Sequence, residues 1–390
     1  MKPLFIKHLC TEYPQLNQNQ LDELVSENLI SPFKLKLSKT ILEQAKLVVK
    51  NCYALRENED YQLDVLSKLD PSIARDPKNK SICMSYDFHV NEEEQLKLIE
   101  INTNAAFLLL GYNLYKATNT PLPINDFSDL EIIENIKEEL RLAQISSTPE
   151  IAIIDEDPEQ QRLYVEFLVF DTLFKKHGLF SQILNLDSSL KEKFEDHLKN
   201  FNKSFNFIYN RSTDFLFSSE KSKFLRECIS NSEIVISPHP REYSLLADKS
   251  RLIEWTNPLS PWYNKLSEIQ KNLLKSTVLD NFVSTEVWSQ RKKLFFKPLQ
   301  SFGSKMSFRG ESISRKLLDD IVSKEKILAQ EYCPPPEMEF KIDNETIKLK
   351  YDLRFYAYKD RVQMCIARLY QGQVTNLKSK HGGFACVEFL

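Results

Sequence analysis

Between residues 150 and 240, short apolar runs alternate with longer amphipathic ones, and this alternation restricts the chain more than any other feature of its 390 residues. Ile151-Ala152-Ile153-Ile154-Asp155 reads as a buried strand. It leads into an amphipathic helix over Gln160 to Lys176 that ends at His177-Gly178, where a glycine suits the C-cap. Ile183 to Leu186 reads as a strand, Leu190 to Asn200 as a helix, and Phe205 to Arg211 and Glu233 to Ile236 as further strands. Strands separated by helices pair in parallel, so the pattern predicts an open, largely parallel α/β sheet of about 120 residues. Such sheets take ligands at the carboxyl ends of their strands. Arg211, Ser212 and Asp214 follow one strand end, and Ser237, His239 and Arg241 follow another. A guanidinium fork at either place suits a substrate carboxylate, with a plain surface turn as the other reading. His239, between Pro238 and Pro240, reads as held by loop geometry.

A second constraint lies at Met84 to Asn104. Two apolar-rich runs flank the polar patch Asn91 to Gln95, the pattern of a β-hairpin. With the turn centred between Glu93 and Glu94, Asp87 stands opposite Glu100 and Ser85 opposite Asn102. Glu100 and Asn102 then share a face with Asp87. Facing carboxylates destabilise a sheet, and a hard divalent cation offsets that. Mg²⁺ takes oxygen ligands, usually one or two carboxylates plus phosphates and water, so Asp87, Glu100 and Asn102 are suitable donors. An exposed hairpin with scattered acids is the plain alternative.

Composition limits the remaining classes. At this length two or three packed subdomains are expected. Hydrophobic content of 42% and charged content of 27% are those of a soluble globular protein. The net charge of -3 is spread without long blocks, which points to neither nucleic acid nor membrane as a partner. No apolar run reaches the roughly 18 residues of a membrane span. The N-terminus turns polar too early for a secretion signal, and seven scattered cysteines without CxxC or zinc spacing read as reduced thiols, so a cytoplasmic location is expected. Residues 1–80 read as mostly helical.

Glycine is scarce, and five of the seven (Gly303, Gly310, Gly372, Gly382, Gly383) fall in the last 90 residues. There the backbone is expected to turn sharply or approach a ligand. Lys293 to Pro298 reads as a strand entering the loop Gln300-Ser301-Phe302-Gly303-Ser304-Lys305, whose small residues can offer backbone N–H groups to phosphate oxygens while lysine adds charge. The spacing is not that of a Walker loop. Ile327 to Glu331 is a short strand running through Gln330-Glu331-Tyr332 into Pro334-Pro335. Tyr351 to Tyr358 and Val362 to Tyr370 read as a second hairpin, on which Arg354 and Arg368 can face one site.

Taken in order, the metal hairpin, the Lys-Pro strand with its Gly-Ser-Lys loop, the Gln-Glu-Tyr stretch, the Asp-x-Arg strand and the Ala-Arg strand resemble the ATP-grasp superfamily. The hairpin ordinarily comes last there and comes first here, so the order resembles circularly permuted members, the eukaryotic-type glutathione synthetases and their glutathionylspermidine synthetase relatives. The likeness runs in outline over residues 80–390. It extends to Leu245 to Ser250, the strand ending in Arg211 and the terminal His381-Gly382-Gly383-Phe384-Ala385.

The resemblance implies a permuted ATP-grasp α/β fold. Its parts would be a helical segment at 1–80, the metal hairpin within 81–125, an inserted open parallel substrate domain at 126–255 and a nucleotide-binding part at 256–390. It implies that Asp87, Glu100 and Asn102 hold Mg²⁺. Lys297, Gly303, Ser304 and Lys305 would hold the phosphates of ATP, and Gln330, Glu331 and Tyr332 the adenine. Arg354 and Arg368 would neutralise an acyl phosphate, Arg211 and Arg241 would meet an anionic acid, and Gly382 and Gly383 would shape a loop over the acceptor. The implied activity is ADP-forming ligation of a small-molecule carboxylate to an amine, in a homodimer. Departures from the glutathione-specific pattern are Ser301 in place of a metal-binding Glu, and Met84 and Asn376 in place of arginines. Two other readings stay open: a kinase-like phosphotransferase, and a nucleotide-binding module without catalysis.

Overall fold

The computed structural model describes residues 1–283, 288–299, 307–324, 326–342 and 345–390. The strands, in chain order, are β1 (Leu35–Leu37), the hairpin β2 (Met84–Val90) and β3 (Leu96–Asn102), then β4 (Glu150–Asp155), β5 (Phe180–Asn185), β6 (Phe207–Asn210) and β7 (Val235–Ser237). They continue with β8 (Asn281–Val283), β9 (Leu294–Pro298), β10 (Phe308–Arg309) and β11 (Ile327–Glu331). The last are β12 (Glu337–Ile342), β13 (Glu345–Tyr358), β14 (Arg361–Tyr370), β15 (Gly383–Ala385) and β16 (Val387–Phe389).

These strands make a mixed α/β architecture of parallel and antiparallel sheets. The alternating stretch forms the parallel sheet β5-β4-β6-β7, with the helix Tyr164–Lys176 between β4 and β5 and the helix Leu190–Phe201 between β5 and β6. Its order reverses between β4 and β6, which makes their carboxyl ends the switch point of the sheet. An antiparallel sheet, β10-β9-β11-β8, carries the Lys-Pro strand. The largest sheet runs β15-β14-β13-β2-β3, with β12 on the first half of β13.

The large sheet is apolar on one whole face and on half of the other. Met84, Tyr86 and Phe88 of β2, Leu353 and Phe355 of β13 and Cys365 and Ala367 of β14 enter one core together with Ile41, Ala45 and Val48 of the helix Lys39–Arg56. On the opposite face Tyr356, Met364 and Ile366 pack with the buried helix Leu108–Ala117 and with Phe5 and Leu9 near the N-terminus. Polar residues occupy the rest of that second face.

Residues 1–80 are mostly helical, as expected, with one short strand among the helices. Leu35, Lys36 and Leu37 pair in parallel with Val387, Glu388 and Phe389, so this strand forms a small two-stranded sheet with the last strand. No described helix is long and apolar enough to cross a membrane.

Candidate active site

The polar half-face of the large sheet is built by strand register. Asp87 pairs with Glu100 on one side and with Arg354 on the other, and Ser85 pairs with Asn102. The facing acids therefore arise as expected, by a different route. Phe88 pairs with Leu98 and Val90 with Leu96, so the turn centres on Glu93 and a β-bulge at Ile99 brings Glu100 back opposite Asp87. The bulge also switches faces. Leu96 and Leu98 are in the core before it and Ile101 after it, leaving Glu100 and Asn102 on the polar side.

The Asp87 carboxylate is 1% exposed. Arg354 donates to it in a fork, Nε to Oδ1 at 2.8 Å and Nη2 to Oδ2 at 2.6 Å, and Arg368 Nη2 donates to Oδ2 at 2.9 Å. Burial alone would push this carboxyl up, but the two guanidiniums outweigh it and hold Asp87 at about 2. Arg368 is fixed from a second side, since its Nε donates to Asp352 Oδ1 at 2.6 Å and Thr375 Oγ1 donates to Asp352 Oδ2 at 2.5 Å. The facing acids therefore have a neutralising partner within the protein itself.

This face lines a cavity of about 390 Å³ together with residues of the β9–β11 sheet. Lys297 is buried there, its Nζ donating to Gln330 Oε1 at 2.8 Å and to the carbonyl of the bulged Ile99 at 3.3 Å. Burial pushes its ammonium down to about 8, against the opposing pull of Glu100. Asp87, Glu100, Asn102, Lys297, Gln330, Glu331, Tyr332, Arg354 and Arg368 all line the one cavity, although they come from distant parts of the chain. Gly303, Ser304 and Lys305, with Ser301, lie outside the described residues.

The four remaining candidates lie away from the cavity lining. Arg211 is buried and donates from Nη1 to Glu166 at 3.2 Å and to the Tyr209 hydroxyl at 2.8 Å. Arg241 donates to Gln62 Oε1 at 2.8 Å and to the carbonyl of Ala74. Both forks expected to meet a substrate carboxylate are thus committed to internal partners. Gly382 and Gly383 answer to backbone crowding: a Cβ on Gly382 would meet the Leu369 carbonyl at 2.6 Å, and one on Gly383 the Asn28 carbonyl at 2.5 Å. Gly383 also has φ +104, which a side chain disfavours.

Three cavity residues carry roles that sequence reading did not assign. Arg162, in the loop after β4, donates from Nη2 to the Leu377 carbonyl at 2.5 Å. Its place after a switch-point strand was the available signal. Asp352 was visible only as part of the Asp-x-Arg pattern. His89 sits on β2 two residues beyond Asp87, and its Nδ1 is 2.8 Å from the Cys333 carbonyl.

As a cation site the donor set is sparse. Among the described residues no group of three or more His, Cys, Asp or Glu could hold a metal. Both Asp87 oxygens are taken by arginine. The Glu100 carboxylate, in contrast, accepts no hydrogen bond from another described residue and borders the cavity beside Asn102. One carboxylate and one amide oxygen suit Mg²⁺ that phosphates and water also ligate, and do not suit a cage made by protein alone.

No family model and no curated protein matches the sequence. Among solved structures the chain is similar to a protein from Methylobacillus flagellatus KT provisionally described as a gamma-glutamylcysteine synthetase. The likeness has 10% identity, covers 90% of this chain and 88% of that chain, and has a TM-score of 0.43. Similarity of that grade carries no argument about fold or activity.

Proposed function

We propose that the chain is an ATP- and Mg²⁺-dependent carboxylate–amine ligase of circularly permuted ATP-grasp type, forming an amide bond through an acyl phosphate and releasing ADP. The observation that carries this reading is the convergence of Lys297, Arg354, Arg368 and Glu100 on one cavity from strands far apart in sequence. Phosphoryl transfer to a carboxylate needs positioning and charge neutralisation more than a covalent group on the protein. Lys297 supplies a desolvated positive charge for the phosphates. Arg354 and Arg368 supply two more for the transferred phosphoryl group and the oxyanion formed when the amine attacks.

In this scheme Asp87 is a positioning residue: with Asp352 it holds the two guanidiniums before any ligand arrives. Glu100 and Asn102 would hold Mg²⁺, which when bound offsets charge on the phosphates. Arg162 takes the place proposed at first for Arg211 and Arg241, as the cation at the cavity margin for an anionic acid. A second reading, a nucleotide-binding module without catalysis, is favoured by the neutralisation of Asp87 within the protein, which leaves one acid for the metal.

The two readings separate in an ADP-release assay with a panel of small carboxylic acids, run with hydroxylamine as the amine. The ligase reading expects ADP and a hydroxamate from at least one acid. Tight ATP binding with no ADP from any acid and amine pair would favour the module.

A further inference from the structure

The cavity has an aromatic margin where β11 runs toward β12. Phe295 and Tyr332 lie there with ring centroids 6.3 Å apart and planes 19° from parallel. Such a margin suits a flat heterocycle. The backbone N–H groups of the Glu331-Tyr332 stretch, implied by the resemblance to hold adenine, are already used: Glu331 N–H donates to the Asp280 carbonyl at 2.7 Å and Tyr332 N–H to the Lys293 carbonyl at 2.8 Å. Strand β11 is paired on both sides, so these two N–H groups are not open to a base and side chains can take their part.

Two side chains there have unspent hydrogen-bonding capacity. The carbonyl of Cys333 can only accept, so His89 donates to it from Nδ1, and the neutral ring then carries its lone pair on Nε2. That nitrogen has no hydrogen-bond partner among the described residues, and the imidazole lines the cavity. Gln330 is 2% exposed, gives its Oε1 to Lys297 and leaves its Nε2 donor unpartnered. A buried amide donor left so is costly unless a ligand completes it.

An acceptor on the cavity lining complements a ligand edge that presents a donor. Adenine has such an edge in its 6-amino group, whereas a 6-oxopurine puts an acceptor where the amino group stands. We infer that His89 is the residue that selects a 6-aminopurine nucleotide, accepting from the amino group through Nε2. This rests on the proposal that the cavity binds a nucleoside triphosphate, and adds to it the residue that chooses the base.

The test is a calorimetric titration of ATP and of ITP, which carry amino and oxo groups at the purine 6-position, into the full chain with Mg²⁺ present. Wild type is expected to prefer ATP by about tenfold or more, the scale of one well-made hydrogen bond with its unpaired alternative. His89→Ala is expected to bring the two affinities to within about threefold, mainly by weakening ATP. An undiminished ATP preference in His89→Ala overturns the inference. So does equal binding of the two nucleotides by wild type, a result that needs no variant and so is independent of any effect of the substitution on folding. Binding of neither nucleotide to wild type overturns the nucleotide reading itself, and the role of His89 falls with it.

Discussion

Asp87 accepts from two guanidiniums inside the sheet, and its carboxyl is held at about 2, below the ordinary value of about 3.9. A depressed carboxyl contributes stability that is complete above its unfolded value and is lost as pH falls toward the folded one. The Asp87 contribution should therefore be flat from neutral pH to about 4 and disappear between about 4 and about 2. Asp87→Asn leaves two buried cations with a neutral acceptor, and truncating one side of a buried ion pair costs about 3–5 kcal/mol. Urea denaturation should show that loss at pH 7 and a smaller difference from wild type at pH 2.5. A difference that stays constant down to pH 2.5 would show that the arginine pairing is not its source. The opposition of Asp87 and Glu100 was legible, because a hairpin register can be written from sequence alone. The third partner was not, since Arg354 lies 267 residues away and enters as a neighbour only when β13 pairs with β2.

The bulge at Ile99 resolves a conflict written in Leu96-Lys97-Leu98-Ile99-Glu100-Ile101-Asn102. A regular strand would put Leu96, Leu98, Glu100 and Asn102 on one face. Keeping both leucines buried is worth about 3–6 kcal/mol, against about 1 kcal/mol for a disrupted ladder bond, so the strand changes phase. The conflict was visible in the order of residues, and only the turn position was misread, by half a residue. Deleting Ile99 removes the extra residue itself and leaves a regular alternation in which Leu96, Leu98 and Ile101 share the core face and Glu100 and Asn102 the polar face. The deletion variant should therefore still unfold cooperatively. Loss of cooperative thermal unfolding in that variant would contradict this. For the same reason of local backbone need, Gly382 and Gly383 gave a misleading signal: their lack of a side chain serves close packing against Leu369 and Asn28, which a one-dimensional reading cannot separate from ligand approach.

At the scale of the molecule, the parallel sheet and both hairpins followed from periodicity, because strand and helix repeats are local properties. Which residues meet across the fold did not follow. Arg211 and Arg241 stand at or just beyond strand ends as expected, yet Glu166 and Gln62 absorb them, while Arg162 from the loop after β4 reaches the cavity. The joining of β1 to β16 brings together residues about 350 apart in sequence, which no local pattern encodes. The proposed function lives at this scale, in one cavity that gathers Glu100 from the hairpin, Lys297 from the antiparallel sheet and Arg354 from β13. It is tested most directly by calorimetric titration of ATP, with Mg²⁺ and with EDTA, into wild type and Glu100→Ala. Wild type should bind ATP more tightly with Mg²⁺ than with EDTA, and Glu100→Ala should lose that difference. Glu100→Ala binding Mg²⁺–ATP as tightly as wild type would contradict the placement of the metal and nucleotide in this cavity.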